Sequence, residues 1–216
     1  MPFITLSYTQ EQLEGIIPDS LLQYVGRGLE IYHTPEAGKR FVAGIDTASG
    51  SGGNSDDSAM TVLNDENIEV ASLSTNKLSP HDFAQVVNDI GLWYNYAYLA
   101  VERNGGYGGV CLQVLREQLG YENLYRQRIF DKRGKKSSYG FLTTEATKKS
   151  GISLFRQNFQ TDMLLINSKK LLEQMTIYQI NAQGKMGNVR KVGNKDDLII
   201  SMMLANVAAA ENIHYA

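Results

Sequence analysis

The sequence predicts an α/β fold built on a mixed sheet, three antiparallel strands followed by parallel ones, with flanking helices and a basic C-terminal hairpin. Three observations predict it. Between residues 41 and 75, three stretches rich in β-branched and apolar residues are joined by short connections, the mark of an antiparallel meander. A stretch of helical periodicity then intervenes before a fourth strand, and such a crossover places that strand parallel to the one it joins. The 216 residues, 43% of them hydrophobic, suffice for one domain with a sizeable core.

The elements follow in order. Residues 1–40 read as a short helix, "TQEQLEGI", within irregular extended pieces, and are expected to be a linker or N-terminal arm; residues 41–216 form the domain. "RFVAGID" is a strand with Phe41, Ala43 and Ile45 on one face and Val42, Gly44 and Asp46 on the other. "SAMTVLN" and "IEVASLST" are the next two, with "NDEN" as the turn between them. Ser79 can cap the following helix, Pro80 suits its first turn, and Phe83, Val86, Val87, Ile90, Tyr94 and Ala97 recur at helical spacing. "AYLAVERN" is the fourth strand, with Tyr98, Ala100 and Glu102 sharing a face. The glycines of "GGYGG" break the chain, "VCLQVLREQL" is helical, and "NLYRQRI" reads as a fifth strand. A basic loop, "DKRGKKSSYG", precedes a helix starting near Thr143 and Thr144. "LLI" is a short strand before Ser168, which can cap "SKKLLEQM"; "TIYQIN" and "GNVRKVG" pair around "AQGKM". Asn194 is placed to cap a last helix, "NKDDLIISMMLANVAAAEN", apolar nearly all round and therefore buried.

Composition narrows the function. No apolar run approaches the ~20 residues of a membrane span, and no signal peptide opens the chain. A single cysteine, Cys111, excludes an internal disulfide, and His33, His81 and His214 have no zinc-like spacing. The net charge of −2 conceals a division: residues 1–120 carry 6 Lys and Arg against 15 Asp and Glu, whereas residues 121–195 carry 15 against 5. A basic segment of that strength suits a polyanionic partner.

Four acids carry the chemistry. If the fourth strand lies parallel beside the first, Asp46 and Glu102 end neighbouring strands at the carboxyl edge of the sheet, where open α/β sheets bind ligands. Asp196 and Asp197 open the last helix, whose N-terminus favours their ionised form. Each position alone suits an ordinary solvated acid. Together they repel, and a divalent cation best accounts for a cluster of this kind. Oxygen ligands without a histidine–cysteine set favour Mg²⁺ or Mn²⁺. Two such ions about 3.5–4 Å apart can hydrolyse a phosphodiester. Arg126, Arg128, Lys132, Arg133, Lys135 and Lys136, joined by Lys185, Arg190 and Lys191, are candidates for holding a phosphate backbone, and Lys195 for neutralising charge beside the ions.

The ordered set "GIDTASG", "DDSAM", "VERNGGYG", "YGFLTTEATK", "INSKKLLEQM" and "GNKDDLIISMMLA" resembles the ribonuclease H-like nucleases, and more narrowly the C-terminal nuclease domain of the large terminase subunit of tailed bacteriophages, over roughly residues 41–210. The resemblance implies a ribonuclease H-like sheet and a two-metal endonuclease that cleaves concatemeric viral DNA during packaging. It assigns Asp46, Glu102 and the Asp196–Asp197 pair as metal ligands, with Asp56 as an accessory acid. It implies double-stranded DNA, a packaging ATPase domain, the portal and the small terminase subunit as partners, in the host cytoplasm and not at a membrane. The chain has no G-x-x-x-x-G-K-[ST] sequence, so ATP hydrolysis by that route is not expected of it. Alternatives are a resolvase or transposase on the same fold, an actin-like ATPase, and a non-catalytic nucleic-acid-binding module.

Overall fold

The computed structural model describes residues 5–104, 106–131, 134–180, 186–188 and 195–211, with side chains 129–131, 134, 135 and 180 excepted. Its centre is a five-stranded mixed sheet of order β1-β4-β3-β2-β5, comprising β1 (Leu29–Ile31), β2 (Phe41–Asp46), β3 (Ser58–Asn64), β4 (Glu69–Thr75) and β5 (Tyr98–Val101). β2, β3 and β4 form the predicted antiparallel meander. Helix α3 (Pro80–Trp93), capped by the Ser79 side chain on the Asp82 N–H, carries the chain over to β5, which pairs parallel with β2.

Residues 10–31 differ from the expected linker. Two one-turn helices, α1 (Gln10–Leu13) and α2 (Asp19–Leu22), place Leu13 and Leu21 in the core, and β1 adds an edge strand antiparallel to β4. α1 falls within the expected "TQEQLEGI" helix, whereas the four-residue α2 shows no amphipathic period and leaves little trace in the sequence.

Period-2 alternation divides the core as the sequence indicates. Ala43, Ile45, Leu99 and Val101 face a cluster that includes residues of α3 and of α4 (Tyr107–Gln113), which runs on as a π-turn over Val114–Gln118. Val42 and Ala100 face the other side, against α5 (Glu145–Gln160), α6 (Lys169–Ile177) and α7 (Asp197–Glu211). Every residue of α7 from Asp197 to Ala208 is buried. The helix seats directly on β2 because Gly44 has no side chain: a Cβ there would stand 1.9 Å from the Ser201 carbonyl oxygen and 2.4 Å from the Ala205 nitrogen. Gly44→Ala must displace α7, and is expected to destabilise by about 3 kcal/mol in denaturant titration, the upper range for overpacked cores.

The predicted fifth strand forms over its later residues but lies outside the main sheet. Leu124 makes only a single parallel bridge to Leu99, and residues Arg126–Asp131 (β6) turn away to pair with Gly134–Tyr139 (β7) in a separate hairpin. The free edge of β5 is met on either side of that hairpin, where the Tyr125 and Phe141 N–H groups donate to the Leu99 and Val101 carbonyls at 2.8 Å each. "LLI" likewise makes one bridge, Leu165 to Ile68. The basic C-terminal hairpin appears as β8 (Tyr178–Ile180) and β9 (Met186–Asn188). The predicted cap Asn194 lies outside the described residues.

Glu69 is a wholly buried acid that ties α6 to the sheet. Its Oε2 accepts the backbone N–H of Asn167 at 2.8 Å and of Ser168 at 2.7 Å. Burial pushes its carboxyl up to about 7, against the lowering effect of those two donors. A folded-state value above the unfolded one means that its contribution is greatest at low pH and is lost as pH rises through about 7. Glu69→Gln is expected to flatten the loss of stability between pH 5 and pH 8 in urea titrations. Glu69→Ala, which strands two buried N–H groups, is expected to cost about 2–4 kcal/mol.

Candidate metal centre

The parallel register of β2 and β5 pairs Gly44 with Ala100 and Ile45 with Val101. One step further lie Asp46 and Glu102, joined by the Glu102 N–H donating to the Ile45 carbonyl at 2.8 Å. Alternation points both side chains to the α7 face. The backbone behind Glu102 is held by Gly108 of α4, where a Cβ would stand 1.8 Å from the Glu102 carbonyl oxygen. Asp197 begins α7 over the same edge.

Electrostatics connect these acids. Burial, then the Glu102 charge and a hydrogen bond between the two carboxyls, then the charges of Asp197 and Asp196, hold Asp46 well above the ordinary carboxylate range. Burial pushes Asp197 up to about 7, opposed by the Asp57 N–H that donates to its Oδ2 at 3.0 Å and assisted by the charges of Asp56, Asp57 and Asp196. Asp196 is less enclosed and pairs with Lys148 of α5 at 3.7 Å. Among the described residues, no three His, Cys, Asp or Glu side chains stand in a ready-made coordination arrangement.

Asp56 is exposed, near enough to Asp197 to act on it by charge. Its neighbour Asp57 is the buried one. Asp57 Oδ1 accepts from Lys195 Nζ at 2.5 Å, and its Oδ2 accepts from Lys170 Nζ at 2.9 Å and Ser74 Oγ at 2.8 Å. Burial raises its carboxyl, but Lys195, Lys170 and Ser74 outweigh that and hold it below the usual value. Asp57 therefore links β4, α6 and the start of α7. Asp57, Lys170 and Lys148 are site-adjacent residues that the sequence reading did not single out for these contacts. Lys195, expected to face phosphate, is bonded to Asp57.

The basic residues divide. Lys132, Arg133, Lys185, Arg190 and Lys191 lie outside the described residues, and the side chain of Lys135 does too. Lys136 is exposed on β7. Arg126 stacks 4.2 Å from the Tyr139 ring centre and, with Arg128, lines a cavity of about 1010 Å³. That cavity also includes Phe41 and Tyr98, the first residues of β2 and β5, so it lies at the sheet edge opposite Asp46 and Glu102. Cys111 is fully buried, which pushes its thiol up to about 12. No helix among the described residues is long and apolar enough to cross a membrane.

No family model and no curated protein matches the chain. Solved structures do. The large terminase nuclease from thermophilic phage G20c, solved with bound cobalt, aligns over 83% of this chain and 87% of its own at a TM-score of 0.62 and 16% identity. Its magnesium-bound form aligns equally well, with a TM-score of 0.62. The large terminase nuclease domain of Thermus phage P74-26 covers 84% of this chain and 85% of its own, with a TM-score of 0.59 and 16% identity. The chain has the ribonuclease H-like fold of the phage large terminase nucleases.

Proposed function

We propose that the chain is a divalent-metal-dependent DNA endonuclease of the terminase type, using Mg²⁺ or Mn²⁺ in a two-ion site. The observation that carries this reading is the convergence of Asp46, Glu102 and Asp197, from two parallel strand ends and a helix start, on one sheet edge, where burial and neighbouring charges oppose the ionisation of Asp46 and Asp197. The donor set fits such ions: it consists of hard carboxylate oxygens, without histidine or cysteine. A shared cation would relieve the repulsion that raises Asp46 and Asp197. When bound, such ions supply an activated water and stabilise the leaving oxygen of a phosphodiester.

The chain's own residues do the rest. Asp46 and Glu102 would hold the ions from the two strand ends. Asp197, oriented by the Asp57 N–H, and Asp196 complete the set. Asp57 fixes Lys195 and Lys170 beside them, so that the carboxylate edge is bordered by positive charge. Lys136 and the basic residues of both hairpins other than Arg126 and Arg128, which line the cavity at the opposite edge, supply the DNA-binding surface. The neighbours' roles as phage terminase nucleases extend the reading to genome packaging: cleavage of concatemeric viral DNA, in partnership with a packaging ATPase domain, the portal and the small terminase subunit, in the host cytoplasm. In this reading residues 41–216 form the nuclease domain, with residues 10–31 built onto its sheet.

Incubation of the purified chain with supercoiled plasmid tests this. Nicked and linear products are expected with Mg²⁺ or Mn²⁺ and none with EDTA. DNA binding without cleavage under any divalent ion would instead identify a non-catalytic nucleic-acid-binding module.

A further inference from the structure

We propose that the cleft at the amino ends of β2 and β5 is a second nucleic-acid site, one that holds a single strand by stacking and phosphate contacts remote from the carboxylate edge. β2 alone, six residues at about 3.3 Å each, sets the two ends of the sheet roughly 17 Å apart. The two sites are therefore separate places on the molecule, and this inference does not depend on the cleavage reading.

The lining has the chemistry that strands recognise. Four cations, Lys39, Arg40, Arg126 and Arg128, stand against one acid, Glu211. Glu211 is engaged, accepting the Tyr125 hydroxyl at 2.8 Å. Lys39 is turned to Asp65 and Glu66, at 3.4 and 3.6 Å, whereas Arg40 is exposed and makes no ion pair among the described residues. Aromatic rings alternate with these charges. Tyr96 is 39% exposed, its ring backed by Tyr121 at 4.5 Å and its hydroxyl fixed by the Glu122 N–H at 2.7 Å. Tyr98 stands half-buried one strand step beyond. Rigid rings beside cations are what sequence-tolerant single-strand binding uses, since every base has a face to stack.

The rim is strained, which independently marks it. Asn95 and Tyr96 are consecutive non-glycine residues in the left-handed region, at φ 54° and 61°. Asparagine commonly takes this conformation just past a helix C-cap, so the cost, about 1 kcal/mol, falls on Tyr96. The turn is held by the Asn95 amide, which donates to the carbonyls of Glu36 at 2.7 Å and Lys39 at 2.9 Å. The same bonds hold the loop that delivers Arg40 to the cleft. A straight entry into β5 would lose both that loop and the Tyr96 platform.

Size favours a strand over a free nucleotide. About 1010 Å³ is at or above the upper end for small-molecule pockets. Arg40 and Ser150 of α5, both in the lining, are exposed to solvent.

Fluorescence anisotropy with labelled oligothymidylate in EDTA tests the proposal. Arg40→Glu and Ser150→Glu, on separate elements, each put a negative charge into the cleft, and each is expected to weaken oligothymidylate binding about tenfold. A blunt duplex of the same length is expected to weaken less than about twofold, and thymidine monophosphate to compete poorly at equal nucleotide concentration. Wild-type affinity in both variants, an equal loss for the duplex, or competition by the mononucleotide as strong as by the oligomer would each overturn it.

Discussion

Asp46→Asn is expected to abolish divalent-dependent plasmid cleavage, by about a thousandfold or more, while making the protein in EDTA more stable. The two effects have one cause. Asp46 sits among Glu102, Asp197 and Asp196, and burial and these charges all oppose its ionisation. Asparagine keeps the shape, can still hydrogen-bond Glu102 and removes the repulsion; replacing a poorly compensated buried charge is commonly worth about 1–2 kcal/mol. In a chain of this size that is roughly 2–4 °C in melting temperature per kcal/mol. The same substitution removes a ligand, and the loss of about 4 kcal/mol of transition-state stabilisation is a thousandfold in rate. Melting in EDTA alongside plasmid nicking checks both halves. An inactive variant that is also much less stable would make Asp46 a structural residue.

Asp57→Ala is expected to cost about 3 kcal/mol of stability and most of the cleavage activity. Breaking a buried ion pair from one side costs roughly 3–5 kcal/mol, because the remaining charge is left uncompensated. Here the lower end applies, since the Lys170 side chain is 47% exposed and water screens it. The Lys195 side chain, 20% exposed, is the more expensive loss. Asp57→Asn, which can accept from only one lysine at a time, falls between. Acid has the same effect as the mutation: a carboxyl held below its unfolded value contributes stability above the unfolded pKa, and that contribution is lost as pH falls through the folded one. Guanidinium titrations of wild type and Asp57→Ala should therefore converge at low pH.

These two acids show how far the residues alone lead. Asp46 was legible because strand periodicity is local: once "RFVAGID" is a strand, Gly44 and Asp46 share a face, and the crossover through α3 sets Glu102 beside them. The mixed sheet follows from the same arithmetic. Asp57 was not legible. The sequence offers two adjacent acids: Asp56 is exposed beside Asp197, and Asp57 is the buried one. What buries Asp57 is Lys170 and Lys195, 113 and 138 residues away, and no local pattern encodes those contacts. Residues 10–31 were misjudged for a related reason, since a three-residue strand is defined by β4 rather than by itself. Arg126 and Arg128 belong to a hairpin that lies outside the main sheet, so their placement on the far edge was equally beyond local reading.

Anomalous diffraction from crystals soaked in Mn²⁺ tests the central claim most directly. The account predicts peaks at the β2–β5 edge within about 2.0–2.3 Å of carboxylate oxygens from Asp46, Glu102 and the Asp196–Asp197 pair. Manganese found only at other acids of the surface, with Asp46 and Glu102 still bonded to each other, would contradict it.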